Sequence, residues 1–347
     1  MRKLLVLFLI AMLSVFVLAG CGGESGTQTQ DEEPAAETGK VYNLRIAAQE
    51  SYEHNDVQSL VRAAEAIKEK TDGHVNLDIY PSNQLGDYTQ VYDEVIAGSI
   101  DMACITIPST HDTRVEMLTI PYLTTTYEEA KEVFFPGSVF FDQLLKIQAE
   151  KGVHVLALYF DGYMGVGSVK PIQNPMDYTD PSHKSLLIRA AAIDSYVWAA
   201  QAMGYNTTTI PYADLYPALQ TGVCDGWVGG SAYVNYLNFR DVINYFVDAR
   251  YFMELIGVII NADTWNSLPQ EYQQIMTQVF QEEALAVATA REQLDDQAME
   301  DMAAMGIEIY IPTDEELDNM KKHFEETVWP KYKDALGEEL YNLLLGK

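Results

Sequence analysis

After Pro269 the chain runs through 270–305 without another proline or glycine, and Gly306 closes the stretch. Nothing inside it breaks a helix, and at 1.5 Å per residue it would reach about 55 Å, more than the width of one small domain. Such a helix must either break or lie across two bodies, and we expect it to span them. Ser267-Leu268-Pro269-Gln270 has a capping-box layout with proline at an early helical position. The apolar run 307–311 is expected to return as a strand. A chain of 347 residues with 48% apolar content can bury two such bodies.

The rest of the pattern agrees with two bodies. Short β-branched runs at 42–48, 75–80, 100–107 and 153–160 read as strands. Apolar residues at three-to-four spacing predict helices over 57–70 and 88–97, stopped by Thr71-Asp72-Gly73 and Gly98. Further along come a strand at 186–189, a helix at 194–203 ending at Gly204, a strand at 207–210, a helix at 213–221 and a strand at 223–228. Gly98-Ser99-Ile100-Asp101 in the first half is echoed by Gly222-Val223-Cys224-Asp225 in the second. The expected fold is α/β with two lobes, each a mainly parallel sheet flanked by helices.

At the N-terminus, Met1-Arg2-Lys3 followed by the apolar run 4–17 has the layout of a secretory leader and is short for a membrane span. Leu18-Ala19-Gly20-Cys21 resembles a bacterial lipobox, in which the cysteine is lipidated and becomes the first residue after cleavage at 1–20. A plain secretory peptide or a signal anchor is the alternative. Residues 21–40 lack large apolar side chains and read as a flexible linker, with a span of roughly 25 Å. Loss of Arg2 and Lys3 takes the formal charge from −29 to −31. A field of that sign repels phosphate backbones and excludes nucleic acid as a partner. The remaining cysteines, Cys104 and Cys224, sit in apolar strand-like runs and read as buried free thiols.

Catalytic chemistry finds no constellation. The six histidines form no metal-ligand spacing, no phosphate-binding loop occurs, and Gly229-Gly230-Ser231-Ala232 is not a nucleophile elbow. Asp295-Asp296 and Glu315-Glu316 read as solvated helix faces. The expectation is therefore a binding protein with no cofactor and no metal, not an enzyme.

Leu44 to Ala48, Tyr80-Pro81-Ser82-Asn83-Gln84-Leu85-Gly86, Gly98-Ser99-Ile100-Asp101-Met102 and Ile120-Pro121-Tyr122-Leu123 follow one another in a recognisable order. So do Leu187-Ile188-Arg189, Ala202-Met203-Gly204, Tyr216-Pro217-Ala218-Leu219-Gln220-Thr221-Gly222 and Trp265-Asn266-Ser267-Leu268-Pro269. In order and spacing they resemble the solute-binding proteins of tripartite ATP-independent periplasmic (TRAP) transporters, the DctP family. The resemblance implies a periplasmic-binding-protein-like fold of two lobes with a long helix across both, which closes on a small organic acid. It also implies delivery to the small and large TRAP membrane subunits, and the lipobox-like segment implies membrane attachment through Cys21. The lobes are expected at 41–161 plus 255–294 and at 162–254 plus 295–347.

Arg189 ends an apolar strand run, where open α/β sheets bind ligands, and a guanidinium fork suits a carboxylate. The resemblance gives that arginine the ligand carboxylate. Many relatives carry a second arginine where this chain has Gly162-Tyr163-Met164, and a ligand-touching asparagine where it has Gly229. Gln49 and Thr106 stand where some relatives place polar ligand contacts, and Tyr212 where an aromatic flanks the ligand; Ala191 and Gly229 are counted with them as ligand-binding residues. Trp227, Tyr212, Met164 and Phe160 are expected to form an apolar wall, with Arg250 as a candidate second cation. One cation against such a wall favours a monocarboxylate with an apolar or aromatic body. A C4-dicarboxylate, and service to an ABC-type carrier or a sensor, are the alternatives.

Overall fold

The computed structural model describes residues 39–345. The leader, the lipobox with Cys21 and nearly all of the linker lie outside the described residues. In chain order, β1 (Tyr42–Ala48), α1 (Asn55–Lys70), β2 (Val75–Tyr80), α2 (Tyr88–Ile96) and β3 (Met102–Thr106) come first, followed by α3 (Tyr127–Phe134), α4 (Val139–Ala149) and β4 (Val153–Tyr163). Next are β5 (Val166–Ser168), β6 (Leu187–Ala190), α5 (Asp194–Ala202), β7 (Asn206–Thr209), α6 (Leu215–Thr221), β8 (Gly226–Val228), α7 (Ala232–Phe239) and β9 (Tyr245–Val247). The chain ends with β10 (Met253–Asn261), α8 (Ala262–Ser267), α9 (Gln270–Ala304), β11 (Glu308–Tyr310), α10 (Asp314–Thr327), α11 (Trp329–Leu336) and α12 (Glu338–Leu345).

These strands make two sheets, β2-β1-β3-β10-β4 and β7-β6-β8-β5-β9-β11. The first five positions of the two orders correspond: three parallel strands, then one reversed strand, then a return to the first direction; β11, parallel to β9, has no counterpart in the first sheet. Mainly parallel is thus right for each sheet, apart from β10 in the first and β5 in the second. Those two are reversed because each arrives from the other sheet. β4 continues into β5 through Met164 and Gly165, and β9 returns to β10 through 248–252.

The sequence echo has a structural counterpart. Gly98 and Gly222 both close a helix at φ +75°, a conformation that glycine adopts without strain. Three residues later, the Asp101 carboxylate accepts from the Arg45 N–H at 2.8 Å, and the Asp225 carboxylate accepts from the Leu187 N–H at 2.9 Å. β3 and β8 are shorter than expected, and Cys224 lies in the turn before β8. Both cysteines are nevertheless buried and free.

α9 extends about 52 Å over its 35 residues. Met276, Val279, Phe280, Ala284 and Val287 pack into the core of the first sheet, and Ala298 and Met302 into that of the second. The helix therefore crosses both lobes. The expected capping box at its start does not form: Pro269 is the cap residue and offers no side-chain acceptor. Ser267 instead ends α8, its hydroxyl donating to the Thr264 carbonyl. A capping box does open α10, where Thr313 and Glu316 exchange hydrogen bonds. α11 then packs on the turn 113–119, with Tyr332 donating to the Thr119 carbonyl and Trp329 to the Pro121 carbonyl.

Candidate functional site

Between the sheets lies a cavity partly open to solvent, with about 400 Å³ of atom-free space when the open part is included. The second sheet contributes Arg189 and Trp227 from its strands, and Ala191, Tyr196, Tyr212, Gly229, Gly230 and Val234 from the segments beyond them. Glu50, Gln49, Tyr88, Thr106, Asp161 and Glu254 face them from the first, with Met164 at the crossing. Parallel neighbours direct Arg189 here, since it sits between Thr208 of β7 and Trp227 of β8 at the carboxyl end of β6.

Arg189 is 2% exposed. Its Nε donates to the Ile210 carbonyl at 2.9 Å, and its guanidinium stands 6.0 Å from the Tyr212 ring. Among the described residues no carboxylate lies within 4 Å of it. Burial lowers its proton affinity, with the neighbouring tyrosines Tyr88, Tyr196 and Tyr212 opposing that shift. A buried guanidinium with unused donors and a cavity before it is arranged to receive an anion.

The aromatic wall is built around Trp227. Its indole N–H donates to Asn235 Oδ1 at 3.0 Å and its ring packs on Phe239 and Tyr212. Two glycines let it lie flat: a Cβ on Gly229 would fall 2.6 Å from the indole, and one on Gly230 would fall 2.5 Å from it. Met164 is held by Tyr251, whose hydroxyl approaches its sulfur at 3.6 Å. Gln49 accepts from the Thr106 N–H at 2.8 Å, which ties β1 to β3 beneath the cavity.

Two expected residues lie elsewhere. Phe160 packs against Phe134 and Phe135 and does not line the cavity, because neighbouring strand residues face opposite ways and Asp161 takes the cavity side. Arg250 is bound to Asp248 at 2.7 Å and faces a different hollow, lined by Tyr127, Tyr163, Glu292 and Asp296. It brings no second cation to the cavity.

The wall is also less apolar than expected, because three acids were missed. Glu254 accepts from the hydroxyls of Thr106 and Tyr196. Glu50 accepts from Asn238 at 2.8 Å, Gln49 at 3.3 Å and Tyr212 at 3.5 Å. Asp161 lies 3.1 Å from the His54 ring and 3.4 Å from Arg291. Burial pushes the Glu254 carboxyl up to about 8 and that of Asp161 to about 7, and raises Glu50 as well. The available signal was a lone acid inside an otherwise apolar strand: Asp161 in β4 and Glu254 in β10.

Behind Asp161 a buried polar cluster joins the lobes. Arg291 of α9, fully buried, pairs with Asp56 at 2.7 Å and donates from Nε to the Phe160 carbonyl at 3.0 Å. Asp295, expected on a solvated face, is buried here and accepts from the Tyr127 hydroxyl and the Tyr233 N–H. His54, Asp56 and Asp161 offer ligand atoms within 4.8 Å of one another, but the Arg291 guanidinium already compensates their carboxylates.

Two lobes joined by two crossing strands and one long helix, with a polarised cavity between them, define a solute-binding protein. The comparison with known proteins gives the family: residues 46–334 match the model of the bacterial extracellular solute-binding proteins, family 7 (DctP), and the chain belongs to it. A solute-binding protein of Roseobacter denitrificans is 25% identical over 67% of this chain and 68% of its own length. The sialic acid-binding periplasmic protein SiaP of Vibrio cholerae is 22% identical over 86% and 90%. A TRAP periplasmic solute-binding protein of Desulfovibrio salexigens, solved with bound orotic acid, is 26% identical. It superposes with a TM-score of 0.80 over 88% of this chain and 99% of that one. The family comprises extracytoplasmic binding proteins of transport systems rather than enzymes. Among the described residues no helix is long and apolar enough to cross a membrane.

Proposed function

We propose that this protein captures a small organic acid, a monocarboxylate with an apolar or aromatic body, in the interlobe cavity and presents it to TRAP membrane subunits. The observation that carries the reading is Arg189, buried at the cavity wall with no carboxylate of its own. A ligand carboxylate supplies the missing partner through two parallel charge-assisted bonds. Trp227, Tyr212 and Met164 then cover the body of the ligand, and Gln49, Thr106, Ala191 and Gly229 complete the enclosure. Orotic acid, found in the Desulfovibrio salexigens relative, is a monocarboxylate on a flat ring and supports this class. The pairing of Arg250 with Asp248 favours a monocarboxylate over a C4-dicarboxylate.

The lobes are taken as 41–161 plus 255–294 and 162–254 plus 295–347, hinged where β4 and β9 cross. Cleavage before Cys21 and its lipidation tether the body to the outer face of the membrane through the linker 21–40. A thermal-shift panel tests the ligand class: aromatic and branched monocarboxylates raise the melting temperature and C4-dicarboxylates do not. The reverse ranking overturns the assignment.

A further inference from the structure

We propose that the ligand is a zwitterion, with its carboxylate on Arg189 and a protonated, N–H-bearing nitrogen on the carboxyls of Glu254 and Glu50. This rests on the reading of Arg189 as the carboxylate site and adds the second half of the ligand.

The cavity is polarised. Its free cation, Arg189, stands on the second sheet, and its acids, Glu50, Asp161 and Glu254, stand on the first. The acids are not equivalent. Asp161 has a cation at 3.4 Å in Arg291, whereas neither Glu50 nor Glu254 has a Lys, Arg or His nitrogen within 4 Å among the described residues. Every donor that reaches those two is neutral: the hydroxyls of Thr106, Tyr196 and Tyr212, and the amides of Gln49 and Asn238. Buried carboxyls without a cation are costly when ionised; Asp161 raises that cost for both, and Glu50 raises it for Glu254, while His54 offsets part of it for Glu50.

A plain monocarboxylate makes this worse. It neutralises Arg189 but offers no donor to Glu50 and Glu254, and its own negative charge further disfavours their ionised forms. A zwitterion offers each wall the opposite charge. Its dipole aligns with that of the cleft, so that ligand bonds connect the sheets and favour closure. Tyr196 and Asn238, on helices beside the second sheet, already reach Glu254 of β10 in the first sheet and Glu50 after β1, which places those carboxyls at the closing seam. The raised proton affinity of Glu254 fits the same picture: the empty site holds a proton where the bound site would hold a cationic nitrogen. Specificity follows, since a ligand lacking the nitrogen leaves buried acceptors unmatched.

The test is calorimetry on the mature chain with matched pairs: phenylalanine against phenylpropionate, leucine against its des-amino acid, proline against cyclopentanecarboxylate, and γ-aminobutyrate against butyrate. In at least one pair the zwitterion is expected to bind about ten- to hundred-fold more tightly. The double variant Glu50→Gln, Glu254→Gln, shown folded by circular dichroism, is expected to bring that ratio close to one. Equal or tighter binding by the des-amino acids overturns the zwitterion and leaves the Arg189 reading standing, as does a ratio that survives the double variant. Binding that persists in Arg189→Ala, or no binding by either class, overturns both.

Discussion

Arg189 concentrates the argument at the scale of the residue. Its environment differs from that of Arg291, the other buried arginine among the described residues, in one respect: Arg291 is paired with Asp56 and Asp161, whereas Arg189 has no carboxylate within 4 Å and is reached by Asp87 only at longer range. Arg189→Ala is expected to weaken ligand binding by about 2 to 5 kcal/mol in calorimetry, and Arg189→Lys to recover little of that, since a point charge cannot reproduce the fork. Glu254 gives a prediction about stability. Its carboxyl titrates near 4.5 when unfolded and near 8 when folded, so the folded state holds the proton more tightly. Its contribution is fully present below about pH 4.5 and is lost as pH rises toward 8. Melting of the ligand-free protein is therefore expected to fall across that window, and Glu254→Gln to flatten the slope. Arg189 was legible in the sequence because a cation closing an apolar strand run is conspicuous. Phe160 was misplaced and Asp161 missed for one reason: strand parity decides which of two neighbours meets the cavity, and the sequence alone does not say which face of β4 looks inward.

Among the elements, the crossing ribbon does the joining. β4 and β10 pair almost to the crossing, where the Met164 N–H donates to the Phe252 carbonyl at 3.0 Å, and β5 and β9 take up the pairing beyond it. Gly165 is packed into that crossing: a Cβ there would fall 2.4 Å from the Val247 carbonyl oxygen, a backbone atom that cannot swing away. Gly165→Ala is expected to cost about 1–3 kcal/mol in denaturant unfolding, and a neutral result would mean the crossing is looser than described. The strands and helices of both β-α-β units were readable from periodicity and stop signals, as were the extent of α9 and the returning strand β11. The false capping box before α9 shows the limit: Ser267 fits the motif but is used by α8, and a six-residue helix that ends two residues before a proline leaves no periodicity to reveal it.

For the whole molecule, charge is divided between outside and inside. Among the described residues most acids are outside the core, whereas the buried carboxylates Asp56 and Asp161 depend on one arginine, Arg291. Arg291→Met leaves Asp56 and Asp161 buried without their cation, and is expected to cost about 3–5 kcal/mol in urea unfolding. The proposed lipid attachment is tested separately: Cys21→Ser is expected to move the protein from the membrane fraction to the medium or periplasm, and retention would favour a signal anchor. The capture of an organic acid by Arg189 is the central claim, and a crystal structure tests it most directly, grown with whichever acid raises the melting temperature most. The account predicts the ligand carboxylate on the Arg189 guanidinium, inside the cavity lined by Trp227, Tyr212 and Met164. A carboxylate held by another group, or a ligand bound outside that cavity, would contradict it.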